Sequence, residues 1–217
     1  MPSWSSALLN RHAAPEIASF ISAEIPTLVL EFREAGFWVQ NHFLNNVARG
    51  GFKEPWRQYA VNFIRRSQAT FRFYHRARDV TLMYLDGNNP RNPKLGQYFE
   101  ALETWEATLM NWAICLDIVH RMTGKPVFLK GTGSSEERAY GLYTAIKHHA
   151  SAIKRGELAG DDILPFWLVT TGFRAKDCDL AFVEFADLVR DAARLSDELQ
   201  DVQTFLEERW SSFNRRT

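Results

Sequence analysis

Apolar residues recur every three or four positions through most of this chain, in runs separated by tight clusters of glycine and proline, and that segmentation constrains the fold more than any single motif. A period near 3.6 places such residues on one helix face, whereas a half-buried strand would alternate strictly. The breaks have separate backbone causes. Pro26 removes a donor, Gly50-Gly51 stops a helical run, and Asp86-Gly87-Asn88-Asn89-Pro90-Arg91-Asn92-Pro93 forbids helix at several consecutive positions. Gly124 and Gly156 follow two further runs at the position where a left-handed residue closes a helix.

Between these breaks the pattern predicts six helices. A short one covers Pro15 to Glu24, with Pro15 in the first turn, where its missing N–H costs nothing. The next runs from Thr27 to Ala48 with Leu28, Phe32, Ala35, Val39 and Phe43 on its apolar face. A long helix from Pro55 to Tyr84 carries Trp56, Ala60, Phe63, Tyr74, Ala77, Thr81 and Leu85 on one side. Ser67 and Thr70 lie mid-stripe, small enough to let a neighbouring helix approach closely. The run from Lys94 to Thr123 has the most continuous stripe, Phe99, Leu102, Trp105, Leu109, Trp112, Leu116 and Val119, and reads as the central helix. Ser134, followed by Glu136 and Glu137, caps a helix that ends near Gly156. The last helix spans Leu180 to Trp210 through Phe182, Phe185, Val189, Ala192, Leu199 and Leu206.

Only Glu157 to Asp179 is irregular over any length. Its Ile163 to Gly172 stretch reads as extended chain or a small hairpin, too apolar to stay off the core. The expected fold class is therefore all-α, a bundle of five or six helices with a small extended or hairpin insertion between the last two, in a single domain spanning 1–217. Aromatic content agrees, since 16 Phe, 7 Trp and 6 Tyr exclude a disordered chain. Cys115 and Cys178 form no C-x-x-C pair and read as free thiols of a reducing compartment. With no secretory leader pattern and no apolar run of membrane-spanning length, the expected location is the cytoplasm, without membrane contact.

The net charge of zero conceals an asymmetry. Residues 49–94 hold 10 Lys or Arg against 3 acids, and residues 177–217 hold 10 acids against 5 Arg. Arg65, Arg72 and Arg76 share a face of the long helix and are the candidate nucleic-acid-binding residues, because clustered arginines displace counterions from a phosphate backbone. The competing reading pairs the basic helix with the acidic last helix across a surface seam.

The six histidines form no metal signature. Asp117-x-x-His120, His148-His149 and His75 lack the Glu-x-x-His pairs of a bundle di-metal centre, so no metal or other cofactor is expected. A serine elbow and a phosphate loop are missing from the sequence. Gly131-Thr132-Gly133-Ser134 sits where a helix N-terminus could receive an anion, but reads first as a connection.

The segment Leu142-Tyr143-Thr144-Ala145-Ile146-Lys147-His148 resembles the end of the conserved helix of HEPN-like proteins, prokaryotic helical bundles that often act as ribonucleases in toxin and defence systems. The resemblance covers the second half of the chain and implies a homodimer. In active members an arginine a few residues ahead of the histidine completes the site. Here Tyr143, Leu142 and Gly141 occupy the corresponding positions, and Arg138 lies ten residues upstream of His148. The resemblance thus implies a non-catalytic member that binds RNA or an acidic protein partner. The alternatives are a metal-independent ribonuclease using His148, with Lys147 or Arg138 as the cation, across the dimer, and a protein-interaction scaffold. A histidine can move a ribose proton and a nearby cation can stabilise phosphate charge, which is why these residues are the catalytic candidates.

Overall fold

The computed structural model describes residues 5–49, 51–89, 92–158 and 163–200. Six helices and three short strands follow in order: α1 (Ser6–His12), α2 (Trp38–Arg49), α3 (Trp56–Asp86), α4 (Leu95–Thr123), α5 (Ser135–Arg155), β1 (Trp167–Val169), β2 (Gly172–Arg174), β3 (Asp179–Ala181) and α6 (Phe182–Glu198). The strands form an antiparallel meander in the order β1-β2-β3, with Leu168 opposite Phe173 and Phe173 opposite Leu180. The structure is a mostly helical bundle with its small sheet between the last two helices, the fold class expected from the sequence.

Helices α3 and α4 form the spine, and α6 lies against both. Trp105 on α4, fully buried, is the centre of the packing. Its ring meets Tyr74 of α3, Phe173 of β2, and Phe182 and Phe185 of α6, at centroid separations of 5.4, 5.0, 5.5 and 6.2 Å. Its indole N–H donates to the Thr81 hydroxyl (3.0 Å), which in turn donates to the Ala77 carbonyl (2.7 Å), so the polar atoms brought inside are paired. Ser67 does what its size allows: α6 approaches closely enough for the Ser67 hydroxyl to donate to the Ala192 carbonyl at 3.0 Å. The irregular segment is a core plug, because Phe166, Leu168 and Phe173 are all fully buried and the Leu168 N–H donates to Tyr98 on α4 (3.1 Å). No helix among the described residues is long and apolar enough to cross a membrane.

The first part of the chain departs from the periodic reading. Instead of a helix over Pro15 to Glu24, α1 precedes Pro15, capped by Ser5 accepting the Leu8 N–H (3.3 Å), and only a 3-10 turn at Ile17–Ser19 follows. Glu16 adopts φ 58°, which no helix interior accommodates. The run from Thr27 to Ala48 becomes helical only at its second half. Side chains of α3 capture the backbone ahead of it: Tyr74 OH donates to the Pro26 carbonyl (2.9 Å), Arg78 Nε to that of Ile25 (3.0 Å), and Gln68 Nε2 to that of Gly36 (2.8 Å). The inward face of α2 is also different. Trp38 and His42 are buried, whereas Val39 and Phe43 face outward. The last helix starts at Phe182 and is helical to Glu198; its expected continuation to Trp210, including Leu206, lies outside the described residues.

Replacing Trp105 with alanine is expected to lower the unfolding free energy by ~3–5 kcal/mol, the cost of an emptied aromatic core site, in urea denaturation. Trp167→Ala, at a half-buried ring, is expected to cost clearly less in the same measurement.

Candidate functional site

Helix α5 is specified at both ends. Ser134 caps it by accepting the Glu137 N–H (3.3 Å), Glu136 and Glu137 occupy the first turn, and Gly156 closes it at φ 68°. The turn ahead of it explains the Gly131 to Ser134 sequence. Gly131 and Gly133 have φ of 81° and 69°, so their N–H groups converge as an anion nest. The anion is the protein's own: the Glu137 carboxylate accepts from Gly131 N (2.6 Å) and Gly133 N (2.8 Å), and these bonds hold its pKa below the usual carboxylate value.

Arg138, one residue on, ties α5 to the insertion. Its Nε donates to the Gly133 carbonyl (3.1 Å), one terminal nitrogen to the Asp179 carbonyl (3.1 Å), and the other to Glu184 on α6. The second Glu184 oxygen accepts the Ala181 N–H (3.0 Å), giving α6 its N-terminal cap. Hydrogen bonding to Glu184 raises the Arg138 pKa, and the same bond lowers that of Glu184. All three guanidinium nitrogens are thereby engaged within the protein.

Between α5 and the loop joining β2 to β3 lies a groove of about 590 Å³. The helix contributes Arg138, Gly141, Thr144, Ala145, His148, His149, Ala152 and Arg155, and the insertion contributes Leu164, Pro165, Trp167, Ala175, Lys176, Asp177 and Cys178. Gly141 faces the insertion, where a Cβ would sit in ordinary van der Waals contact with Cys178 Sγ at 3.6 Å. The Trp167 indole N–H points to Glu16 (3.3 Å), which also pairs with Arg174 (2.7 Å), so the far wall is fixed to the N-terminal segment. Arg155 is paired with Glu157 at the groove's end. Burial raises the Cys178 thiol pKa, the neighbouring Asp177 and Asp179 adding to it.

The structure brings two of the three catalytic candidates to this groove and separates their chemistry. His148 is exposed and Arg138 lines the same groove, but ten residues of α-helix set them about 15 Å apart along the axis. One phosphate cannot meet both. Lys147 does not line the groove; its ammonium lies 5.7 Å from the centre of the Tyr143 ring. The three arginines of α3 are exposed together, with different attachments: Arg76 pairs with Glu100 of α4 (2.7 Å), Arg65 bonds Asn62 (3.4 Å), and the Arg72 guanidinium rests against the Phe73 ring (5.2 Å). Arg76 thus joins α3 to α4, while Arg190 of α6 pairs with Glu31 and Asp187. The remaining histidines are dispersed. His120 Nδ1 donates to the Lys125 carbonyl (2.7 Å), Tyr140 OH donates to Asp117 (3.3 Å), and His75 packs edge-on to Phe71. Among the described residues no group of three or more His, Cys, Asp or Glu could hold a metal ion. Both cysteines are free.

Comparison with known proteins finds no matching family, no matching curated protein and no matching solved structure.

The sequence offered no route to His149, Trp167, Lys176, Asp177 and Cys178 as groove residues, because their proximity depends on where the insertion docks. The nest was visible as a glycine-bearing turn, and Glu137 was visible as a first-turn acid; that one fills the other follows only from the fold.

Arg138→Ala is expected to destabilise the protein by about 1–2 kcal/mol, the range for losing charge-assisted hydrogen bonds reduced for partners that are partly or fully exposed, in chemical denaturation at neutral pH. The Glu184 carboxylate is held below 4.5, so its contribution is present above that pH and disappears as pH falls through its lowered folded value. Glu184→Gln should therefore be less stable than the parent at pH 7, with the difference narrowing below pH 4.5 in acid titrations followed by circular dichroism.

Proposed function

We propose that this is a non-catalytic binding protein that seats an extended segment of a partner protein in the groove between α5 and the insertion. The observation that carries the reading is how the groove's charges are disposed. Its lining holds Arg138, Arg155 and Lys176 against Glu137, Glu157 and Asp177, three of each sign. Arg138 and Glu137 are bonded to the protein's own backbone, and Arg155 is bonded to Glu157. A polyanion requires a net cationic track, which this balance denies. What remains is an apolar floor of Ala145, Ala152, Leu164, Pro165 and Ala175 with two imidazoles and an indole at its edge. A few placed polar groups over apolar surface suit side-chain recognition along a peptide.

Catalysis of the kind suggested by the HEPN resemblance would need a cation beside His148. Arg138 is committed elsewhere and Lys147 lies off the groove, which supports binding over ribonuclease action. RNA binding has its own support, since Arg65 and Arg72 are exposed on α3, but the neighbouring Arg76 is neutralised by Glu100.

Selection of a random peptide library against the purified full chain, with a parallel RNA pool at two salt concentrations, tests the proposal. Expected are enriched peptides whose affinity drops at least about tenfold with Ala145→Arg, which projects a long side chain into the groove. RNA cleavage lost in His148→Ala would replace the reading with a ribonuclease. Salt-sensitive RNA binding lost in the Arg65/Arg72/Arg76 triple alanine variant, without peptide selection, would replace it with a nucleic-acid binder.

A further inference from the structure

His42 is one of the few polar side chains in the core, only 3% exposed, and the groove reading makes no use of it. It sits on α2 where that helix meets the end of α6. Its Nδ1 lies 3.0 Å from the Leu199 carbonyl and its Nε2 lies 2.7 Å from Asn46 Nδ2. The surrounding bonds fix which nitrogen carries the proton. The Phe52 N–H can only donate, and it donates to Asn46 Oδ1 (3.2 Å), so the Asn46 amide group must face His42. That NH2 supplies one hydrogen to the His42 carbonyl (2.8 Å) and the other to Nε2. Nε2 is therefore an acceptor, and Nδ1–H donates to Leu199. This arrangement has room for a neutral imidazole alone.

A second proton on Nε2 would put two donors nose to nose inside the protein, and would bury a charge whose two ring partners are neutral. The charged groups closest along the chain to the partners of His42 are Asp197 and Glu198, just before Leu199, and Lys53 and Glu54, just after Phe52, while Arg57 of α3 lines the groove beside it. Asp197 is engaged by the Trp38 indole and by Gln200 Nε2 (3.2 Å), and Arg57 by Glu54 (2.9 Å). Burial keeps the His42 pKa below 6.5, so the folded form resists the proton and its stability falls as pH drops below that value. Two further features make this a latch. The same stretch of α2 holds the end of α6 a second time, through Asn45 Nδ2 to the Gln200 carbonyl (3.0 Å). His42 and Asn46, with Arg57 of α3, also supply the polar lining of a groove of about 450 Å³ between α2 and α3 whose apolar lining is Val39, Phe43, Phe52, Val61 and Ile64.

We propose that His42 is a proton-operated latch: protonation of Nε2 in mildly acidic solution breaks the Asn46 contact, frees the end of α6 from α2, and opens the apolar groove beside it. Gly51 is built into the same device. A Cβ there would lie 1.9 Å from Asn46 Oδ1, so only glycine lets the amide hold its orientation.

The test combines ring-nitrogen NMR of the full chain with hydrogen exchange at pH 7.5 and 5.5, exchange times being scaled for the intrinsic rate. The expected result is a neutral Nδ1–H ring at pH 7.5. At pH 5.5, protection should fall about tenfold or more over residues 38–46 and 195–200, with α4 unchanged. Asn46→Asp gives up the bond to the His42 carbonyl but offers Nε2–H a carboxylate acceptor, so the fall in protection between pH 7.5 and 5.5 should be smaller in this variant than in the parent, which a residue serving only as packing would not produce. Gly51→Ala should open them already at pH 7.5. An Nε2–H tautomer at neutral pH, unchanged protection once His42 is protonated, or acid opening in Asn46→Asp equal to that of the parent would each overturn the proposal. Should Asn46→Asp fail to fold, the tautomer and the parent's own exchange profile decide.

Discussion

The burial of Trp105 joins α3, α4, α6 and the insertion at one point, and the groove beside α5 depends on it. A helix carrying an indole at its midpoint has to surround that ring with apolar partners and satisfy its N–H, and here the two requirements are met from different elements. Thr81 takes the hydrogen bond, so α3 is held in register against α4. Phe173, Phe182 and Phe185 supply the rings, so the insertion and α6 are drawn to the same point. Three-residue strands would be marginal by themselves, since isolated hairpins are barely stable in water. The sheet persists because Phe173 and Leu168 are core residues that happen to be extended, and the loop joining β2 to β3, with Trp167, then becomes one wall of the groove.

The second organising theme is that charged side chains are used in tying the protein's own segments together. Glu137 fills the nest made by its own turn, Arg138 braces the insertion, Glu16 anchors both Trp167 and Arg174, and Arg190 is shared by Glu31 and Asp187. Exposed pairs of this kind contribute little each to stability, but a guanidinium whose three nitrogens each hold a protein acceptor and whose charge is matched by Glu184 has its orientation fixed and only two N–H groups left for a ligand. That distinction separates having the residues of a phosphate site from having the site. It is also why the asymmetry between residues 49–94 and 177–217 is a weak guide to a partner, as Arg76 is matched by α4 and not by the acidic helix.

The sequence made the long helices legible because their stripes are continuous and their ends carry independent signals. Ser134, Gly124 and Gly156 mark helix ends through side-chain capping or left-handed backbone, and each does so in the structure. The segment from residue 15 to 37 was not legible. Its apolar spacing is helical, but Tyr74, Arg78 and Gln68 reach across from α3 and take its carbonyls, and no local pattern records a bond to a residue some fifty positions away. The same limit applies to the groove. His148 and Arg138 were found because they share a helix, whereas the opposing wall was visible only as an apolar irregular stretch. His42 and Asn46 show helical spacing and nothing more; their roles come from the Leu199 carbonyl and the Phe52 N–H.

The two thiols are placed in contrasting surroundings. Cys115 is enclosed by α3 and α4, its Sγ directed at the Phe63 carbonyl (3.8 Å), and burial pushes its pKa to about 12. Cys178 is half-buried on the groove wall, opposite Gly141. A thiol-reactive probe of modest size therefore meets one cysteine before the other, and the one it meets is in the groove. A segment seated in the groove as proposed would cover this thiol, so alkylation of Cys178 reads out occupancy with no residue changed.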